Sequence, residues 1–157
     1  MLRRLLPVPV AALLLVAAGC SSAPPEVTFA AGGTTAVAQP TQYCDLDLED
    51  CTSDATAPVT LAVPAGTPLQ VTVPEDVASA PWHVVFSYTD AAGQQIDERS
   101  PLFAANERTE WTLTLPAPTD ELVEAQVQQF GPAPAINEET GEIEFPTRAS
   151  WVLRTPA

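Results

Sequence analysis

The chain has 157 residues, with 20 acidic side chains against six arginines, no lysine and a net charge of −14. A chain of this length accommodates one domain, and 46% hydrophobic against 17% charged residues supplies enough apolar surface for a packed core, which argues against wholesale disorder. One histidine, one methionine and 17 prolines argue against a His-built metal enzyme, a basic nucleic-acid binder and a helical bundle.

Residues 1–19 open with Arg3 and Arg4, continue with an apolar run from Leu5 to Ala18 and end on small residues, the pattern of an export signal. The run is shorter than the ~20 apolar residues that a spanning helix needs, and Pro7 and Pro9 weaken it further as a membrane helix. Ala17-Ala18-Gly19-Cys20 resembles a bacterial lipobox, with Ala17 where leucine is usual. The resemblance implies cleavage before Cys20 and a diacylglycerol on its thiol; an ordinary signal peptide with an incidental cysteine is the alternative. Residues 20–25 are then a lipidated tether and residues 26–157 a single domain. Loss of two arginines and no acid takes the charge of the mature chain to −16. Anionic headgroups and nucleic acid repel such a body, so the lipid alone is expected to hold it at the membrane, with no nucleic acid as partner.

Extended segments are expected at 27–30 and 36–43. Cys44 and Cys51 follow with C-x6-C spacing. In an exported protein they are expected to form a disulfide; the alternative, a zinc site, lacks ligands, because two thiolates with His83 alone cannot complete the shell that zinc prefers. Asp45, Asp47, Glu49 and Asp50 crowd between the cysteines, and alternation sets the first three on one side, as a hard cation such as calcium would require. The turning Gly and the final Glu of an EF-hand loop are missing, so the expectation is a solvated acidic loop and no metal.

A strand at 59–63 and a turn over Pro64-Ala65-Gly66-Thr67-Pro68 come next. Leu69, Val71 and Val73 alternate with Gln70 and Thr72, as in a half-buried strand. Residues 74–80 offer at most one helical turn before Pro81. Trp82, Val84, Phe86 and Tyr88 alternate with His83, Val85 and Ser87, which makes His83 a partly exposed strand histidine on the face opposite Trp82. Asp90-Ala91-Ala92-Gly93 predicts a hairpin loop ending in a left-handed glycine, followed by a strand at 94–98. Trp111, Leu113 and Leu115 alternate in turn, and further strands are expected at 123–130 and 149–154. Between them, residues 137–141 suit a hairpin flanked by Ile136 and Ile143, with Glu138, Glu139, Glu142 and Glu144 in an exposed loop.

Roughly seven to nine short strands with turns about every 8 to 12 residues predict an all-β fold, an immunoglobulin or fibronectin III-like antiparallel β-sandwich, with a small β-barrel as the alternative. The Trp82 strand takes the place of the strand that carries the buried Trp of immunoglobulin-like domains. Cys44 and Cys51 are too close in sequence to supply the inter-sheet disulfide that usually accompanies it. The order of lipobox, Tyr43-Cys44 to Cys51, Val63-Pro64-Ala65-Gly66-Thr67-Pro68-Leu69 and Ala80-Pro81-Trp82 resembles an actinobacterial lipoprotein family known as domain of unknown function family 2771. The resemblance spans nearly the whole mature chain, supports an envelope address and implies no established activity.

A nucleophilic hydrolase would have to use His83, and the chain has no Gly-x-Ser-x-Gly elbow. Trp82, Trp111 and Trp151 sit on apolar alternations and are expected in the core, rather than stacked on sugar rings or prenyl chains. Binding is expected on loops: the acidic loop of Asp45, Asp47, Glu49 and Asp50, and the late hairpin with Glu138 and Glu139. The leading expectation is a non-enzymatic, lipid-anchored module on the extracytoplasmic face of the cell membrane, binding or scaffolding an envelope protein or ligand without a cofactor. A small-ligand or lipid carrier, which needs a cavity of about 300 Å³ or more between the sheets, comes second. A hydrolase built on His83 comes third.

Overall fold

A computed structural model of the chain describes residues 23–156. β1 (Val27–Ala31) buries every second residue, Val27, Phe29 and Ala31, and turns through Gly32 and Gly33 into β2 (Thr34–Ala38). Both glycines have positive φ, 56° and 83°, as a two-residue hairpin between twisted strands demands. The single strand expected over 36–43 is two strands. β2 ends at Ala38, Pro40 has no N–H to give to a ladder, and the chain crosses to the other sheet, where Thr41 N–H donates to Ser150 O. There β3 (Gln42–Cys44) pairs with β4 (Cys51–Ser53). The strand expected at 59–63 contracts to β5 (Val59–Thr60). β6 (Leu69–Thr72) leads into α1 (Glu75–Ala78), a single helical turn, and then β7 (Trp82–Thr89) and β8 (Gln95–Arg99) form a hairpin around Gly93 at φ 79°. β9 (Glu110–Leu113), β10 (Glu121–Phe130), the small hairpin of β11 (Ala135–Ile136) and β12 (Ile143–Glu144), and β13 (Thr147–Arg154) complete the order.

The strands form two sheets, β2-β1-β6-β9 and β4-β3-β13-β10-β7-β8, with β5 running parallel to the end of β13 and β11–β12 standing apart. Neither sheet closes on itself, so the fold is a sandwich and not a barrel. The orders β1-β6-β9 and β13-β10-β7 match A-B-E and G-F-C of the immunoglobulin sandwich, which puts β7 in the place of strand C and Trp82 in that of its buried Trp.

Side chains from both inner faces fill the space between the sheets. Phe29, Leu69, Val71, Trp82, Val84, Val127, Trp151 and Leu153 are all essentially inaccessible, and each such side chain contributes about 1.5–3 kcal/mol by leaving water. The two indoles keep their polar edges satisfied: Trp82 Nε1 donates to Arg108 O at 3.2 Å and Trp151 Nε1 to Pro25 O at 2.9 Å. A bulge at Val123 lets Leu122 and Ala125 both point inward although they are three residues apart. A second irregularity, opposite Gln129 and Phe130, makes Arg148 the extra residue of β13.

The sandwich has two distinct ends. The chain enters β1 with Thr28 opposite Thr72, at the end where α1, the 44–51 loop and the β11–β12 hairpin stand. The other end is built from the segments at 61–68 and 114–120 and the start of β10.

Candidate functional site

Cys20 lies outside the described residues. Cys44 and Cys51 face each other across the β3–β4 ladder with Cα atoms 4.0 Å apart and form the expected disulfide. The loop they close is not extended, which corrects the expectation that Asp45, Asp47 and Glu49 share one side. Asp45 Oδ1 accepts hydrogen bonds from the backbone N–H groups of Glu49 (2.9 Å) and Asp50 (3.3 Å), and Leu48 adopts a left-handed φ of 61°. These two bonds to the loop backbone consume the first carboxylate, and Asp47, Glu49 and Asp50 are exposed to solvent. Among the described residues no group of three or more His, Cys, Asp or Glu side chains is placed to hold a metal ion.

The β11–β12 hairpin closes through Asn137, whose Oδ1 accepts from Glu139 N–H and whose Nδ2 donates to Glu144 Oε1 at 2.9 Å. Glu138 and Glu139 are exposed at its tip. The two loops singled out from the sequence adjoin: a Cβ on Gly131, which leads into the hairpin, would stand 3.2 Å from Leu48 Cδ1 of the disulfide loop. Leu46, Ile136, Ile143 and Phe145 are exposed at the same end, between the glutamates.

Beneath these loops lies a polar network that sequence reasoning missed. Gln129, 1% exposed, donates from Nε2 to the carbonyls of Asp76 (3.0 Å) and Val77 (2.9 Å) in α1 and accepts from Arg148 Nη1 at 3.2 Å. Arg148 also donates to Cys44 O (3.1 Å) and Tyr43 Oη (3.2 Å), and its guanidinium sits 5.0 Å over the Tyr43 ring. The network ties α1 to the disulfide hairpin. The available signal was a glutamine at the inward position that follows Ala125 and Val127.

His83 occupies the face opposite Trp82 but is 8% exposed, not partly exposed as expected. The edge of Phe130 packs on its ring at 4.9 Å, and Nε2–H donates to Gln128 Oε1 at 2.8 Å, so neighbouring side chains on β10 cover it. Ser100 opens onto the same groove, where its hydroxyl donates to Pro101 O and accepts from Val84 N–H.

The far end of the sandwich holds a cleft of about 240 Å³ walled by Leu69, Leu113, Leu115 and Leu122. Two loops meet at its rim, where Gly66, at φ 74°, approaches Pro118 O so closely that a Cβ would stand 3.2 Å away. Asp120 lines this cleft and is 4% exposed. Its backbone N–H donates to Ala117 O and its Oδ2 accepts from Ala117 N–H at 2.9 Å, a reciprocal pair that fixes the turn around Pro118. Nearby, burial first and then the carboxylates of Glu98 and Asp120 push the Tyr88 phenol above its ordinary value, the mark of a negative local field.

Two comparisons place the chain beside proteins of unknown function. A family profile described as "Protein of unknown function (DUF2771)" matches residues 21–156. The chain is 29% identical over 159 aligned positions to the uncharacterized protein Rv0875c of Mycobacterium tuberculosis, covering 95% of this chain and 94% of the relative. The same figures hold for the uncharacterized protein Mb0899c of Mycobacterium bovis. No solved structure matches the chain. With its sandwich and disulfide hairpin spanned almost end to end by that profile, the chain belongs to the DUF2771 family of proteins of unknown function.

Proposed function

We propose that this protein is a lipid-anchored, non-enzymatic binding module held by Cys20 on the extracytoplasmic face of the cell membrane, where it engages another envelope protein or ligand. The observation that carries the reading is the Cys44–Cys51 disulfide in a domain whose Pro25 is pinned to Trp151, five residues after the lipobox-like Cys20. A tether that short keeps the entry end of the sandwich near the lipid and turns the opposite end, with the Asp120 cleft, outward. The non-enzymatic part is supported by the environment of His83, whose bond goes to an amide while the neighbouring Ser100 hydroxyl is already engaged. The carrier reading has less support. Core side chains of both sheets, Trp82 and Trp151 among them, are essentially inaccessible, and the 240 Å³ cleft at one end of the sandwich falls below the ~300–1,000 Å³ of pockets that enclose drug-sized ligands.

The test is detergent phase partitioning of the protein from its native envelope, with and without globomycin and with Cys20→Ala. The reading expects the untreated protein in the detergent phase and both perturbed forms in the aqueous phase. Unchanged partitioning would defeat the anchor.

A further inference from the structure

We propose that the cleft around Asp120 is a binding site for an organic ammonium group carried on a compact apolar body. This goes beyond the reading above and stands without the lipid anchor, since it concerns only the far end of the sandwich.

The first support is the state of the carboxylate. Asp120 is 96% buried, yet only Oδ2 has a hydrogen-bond partner among the described residues, Ala117 N–H. Among the described residues no side-chain oxygen that is sealed from solvent lacks a partner, so Oδ1 is open to solvent, and the space that this buried residue lines is the cleft. An acceptor open to a recess walled largely by leucines bonds only what enters that recess, water or a donor carried by a ligand. Besides four leucines and Val63 the walls carry the hydroxyls of Thr67 and Thr114, and among the described residues neither donates to Asp120, so the complement is a donor brought by the ligand.

The second support is charge. No arginine lines the cleft, and its one charged side chain is the Asp120 carboxylate, so the field inside it is negative. A cation is drawn to that field and an anion is repelled. A cation held there donates a charge-assisted hydrogen bond to Oδ1, the stronger kind of bond. The third support is size. A cavity of about 150 Å³ holds a benzene ring. The 240 Å³ here leaves room for a ring and a short ammonium arm.

The experiment follows the leucine methyl resonances of the full-length chain in neutral-lipid nanodiscs during titration with phenethylammonium. The neutral isostere, phenethyl alcohol, is the control. The proposal expects saturable shifts at Leu69, Leu113 and Leu122, with the alcohol weaker by roughly tenfold or more, the factor that loss of a hydrogen bond to a charged group implies. Asp120→Asn keeps an oxygen to accept from Ala117 N–H and removes the charge; the same loss of at least roughly tenfold is expected. If that variant does not fold, the comparison of amine with alcohol on the unaltered chain decides alone. Equal affinity for amine and alcohol, an unchanged affinity in a folded Asp120→Asn, or shifts confined to the acidic loops would overturn the site. Acetyl-Gly-Lys-Gly amide distinguishes two sources of the same chemistry: tighter binding than phenethylammonium assigns the ammonium to a lysine of a polypeptide, weaker binding to a free amine.

Discussion

Reduction of the Cys44–Cys51 bridge should lower stability by about 2.5 kcal/mol. The two cysteines are seven positions apart, and in the chain-entropy model a closed loop of about eight residues restricts the unfolded chain by about that amount at 25 °C. The folded loop has its own supports, the two bonds to Asp45 Oδ1 and the Arg148 bond to Cys44 O, so the native hairpin should survive reduction and the loss should act on the unfolded state. Cys51 is exposed, which gives a reductant access without global unfolding. For a domain of this size the change corresponds to a fall in Tm of about 9 °C. Thermal melts with and without a phosphine reductant measure it, and a Cys44→Ala/Cys51→Ala double variant should reproduce the reduced value and ignore the reductant. Identical melts under both conditions, with intact mass showing two free thiols in the untreated protein, would refute the pairing. Identical melts with the bridge intact beforehand and broken afterwards would refute the entropic reasoning.

Gln129→Leu should cost about 3 kcal/mol in urea unfolding, because the carbonyls of Asp76 and Val77 and the Arg148 guanidinium lose their buried partner together; a change under about 0.5 kcal/mol would show that the network is not needed. Trp151→Phe should cost about 1–2 kcal/mol and speed proteolysis at residues 23–26, since it frees Pro25 O while keeping an aromatic ring in the core; equal cleavage rates would count against the pinned tether. Tyr88, whose phenol is raised by burial and by Glu98, Asp120 and Asp90, keeps its proton longer when folded than when unfolded. Its contribution is therefore fully present below pH 10.0, the ordinary phenol value, and lost as pH rises beyond it. Denaturant midpoints across the alkaline range should fall less steeply in Tyr88→Phe than in the unaltered chain, and parallel slopes would contradict the shift.

Much of the fold was legible because burial on one face of a sheet imposes a period of two; Leu69 to Val73 display it without interruption, and Trp82 to Tyr88 with the buried His83 as the one exception. The same rule misled where the backbone departs from a regular ladder. Residues 36–43 alternate plausibly, yet Pro40 breaks the chain between sheets, and 59–63 keeps only two paired residues. Asp45, Asp47 and Glu49 alternate on paper, but a turn closed on the Asp45 carboxylate removes the alternation. His83 falls on the outer face as its neighbours require, and only the placement of Gln128 and Phe130 on the adjacent strand explains why it is covered. Trp151 and Trp82 declared themselves as core through their apolar surroundings.

The sites divide in the same way. The disulfide and the two acidic loops were visible as local clusters of residue type, and the structure brings those loops side by side through Leu48 and Gly131. The Asp120 cleft was invisible, because Val63, Leu69, Leu113 and Leu122 come from separate stretches of chain and meet only when β6, β9 and β10 line up at one end. Asp120 reads in the sequence as an ordinary acidic turn residue after Pro118 and Thr119. Its burial is set by packing that no local pattern encodes.

The lipid anchor is tested most directly by the intact mass of the protein extracted from its native envelope. The account predicts a polypeptide that begins at Cys20, carries a diacylglycerol on that residue and is two hydrogens lighter than its reduced form. A chain that retains residues 1–19, or one that starts at Cys20 with an unmodified thiol, would contradict it.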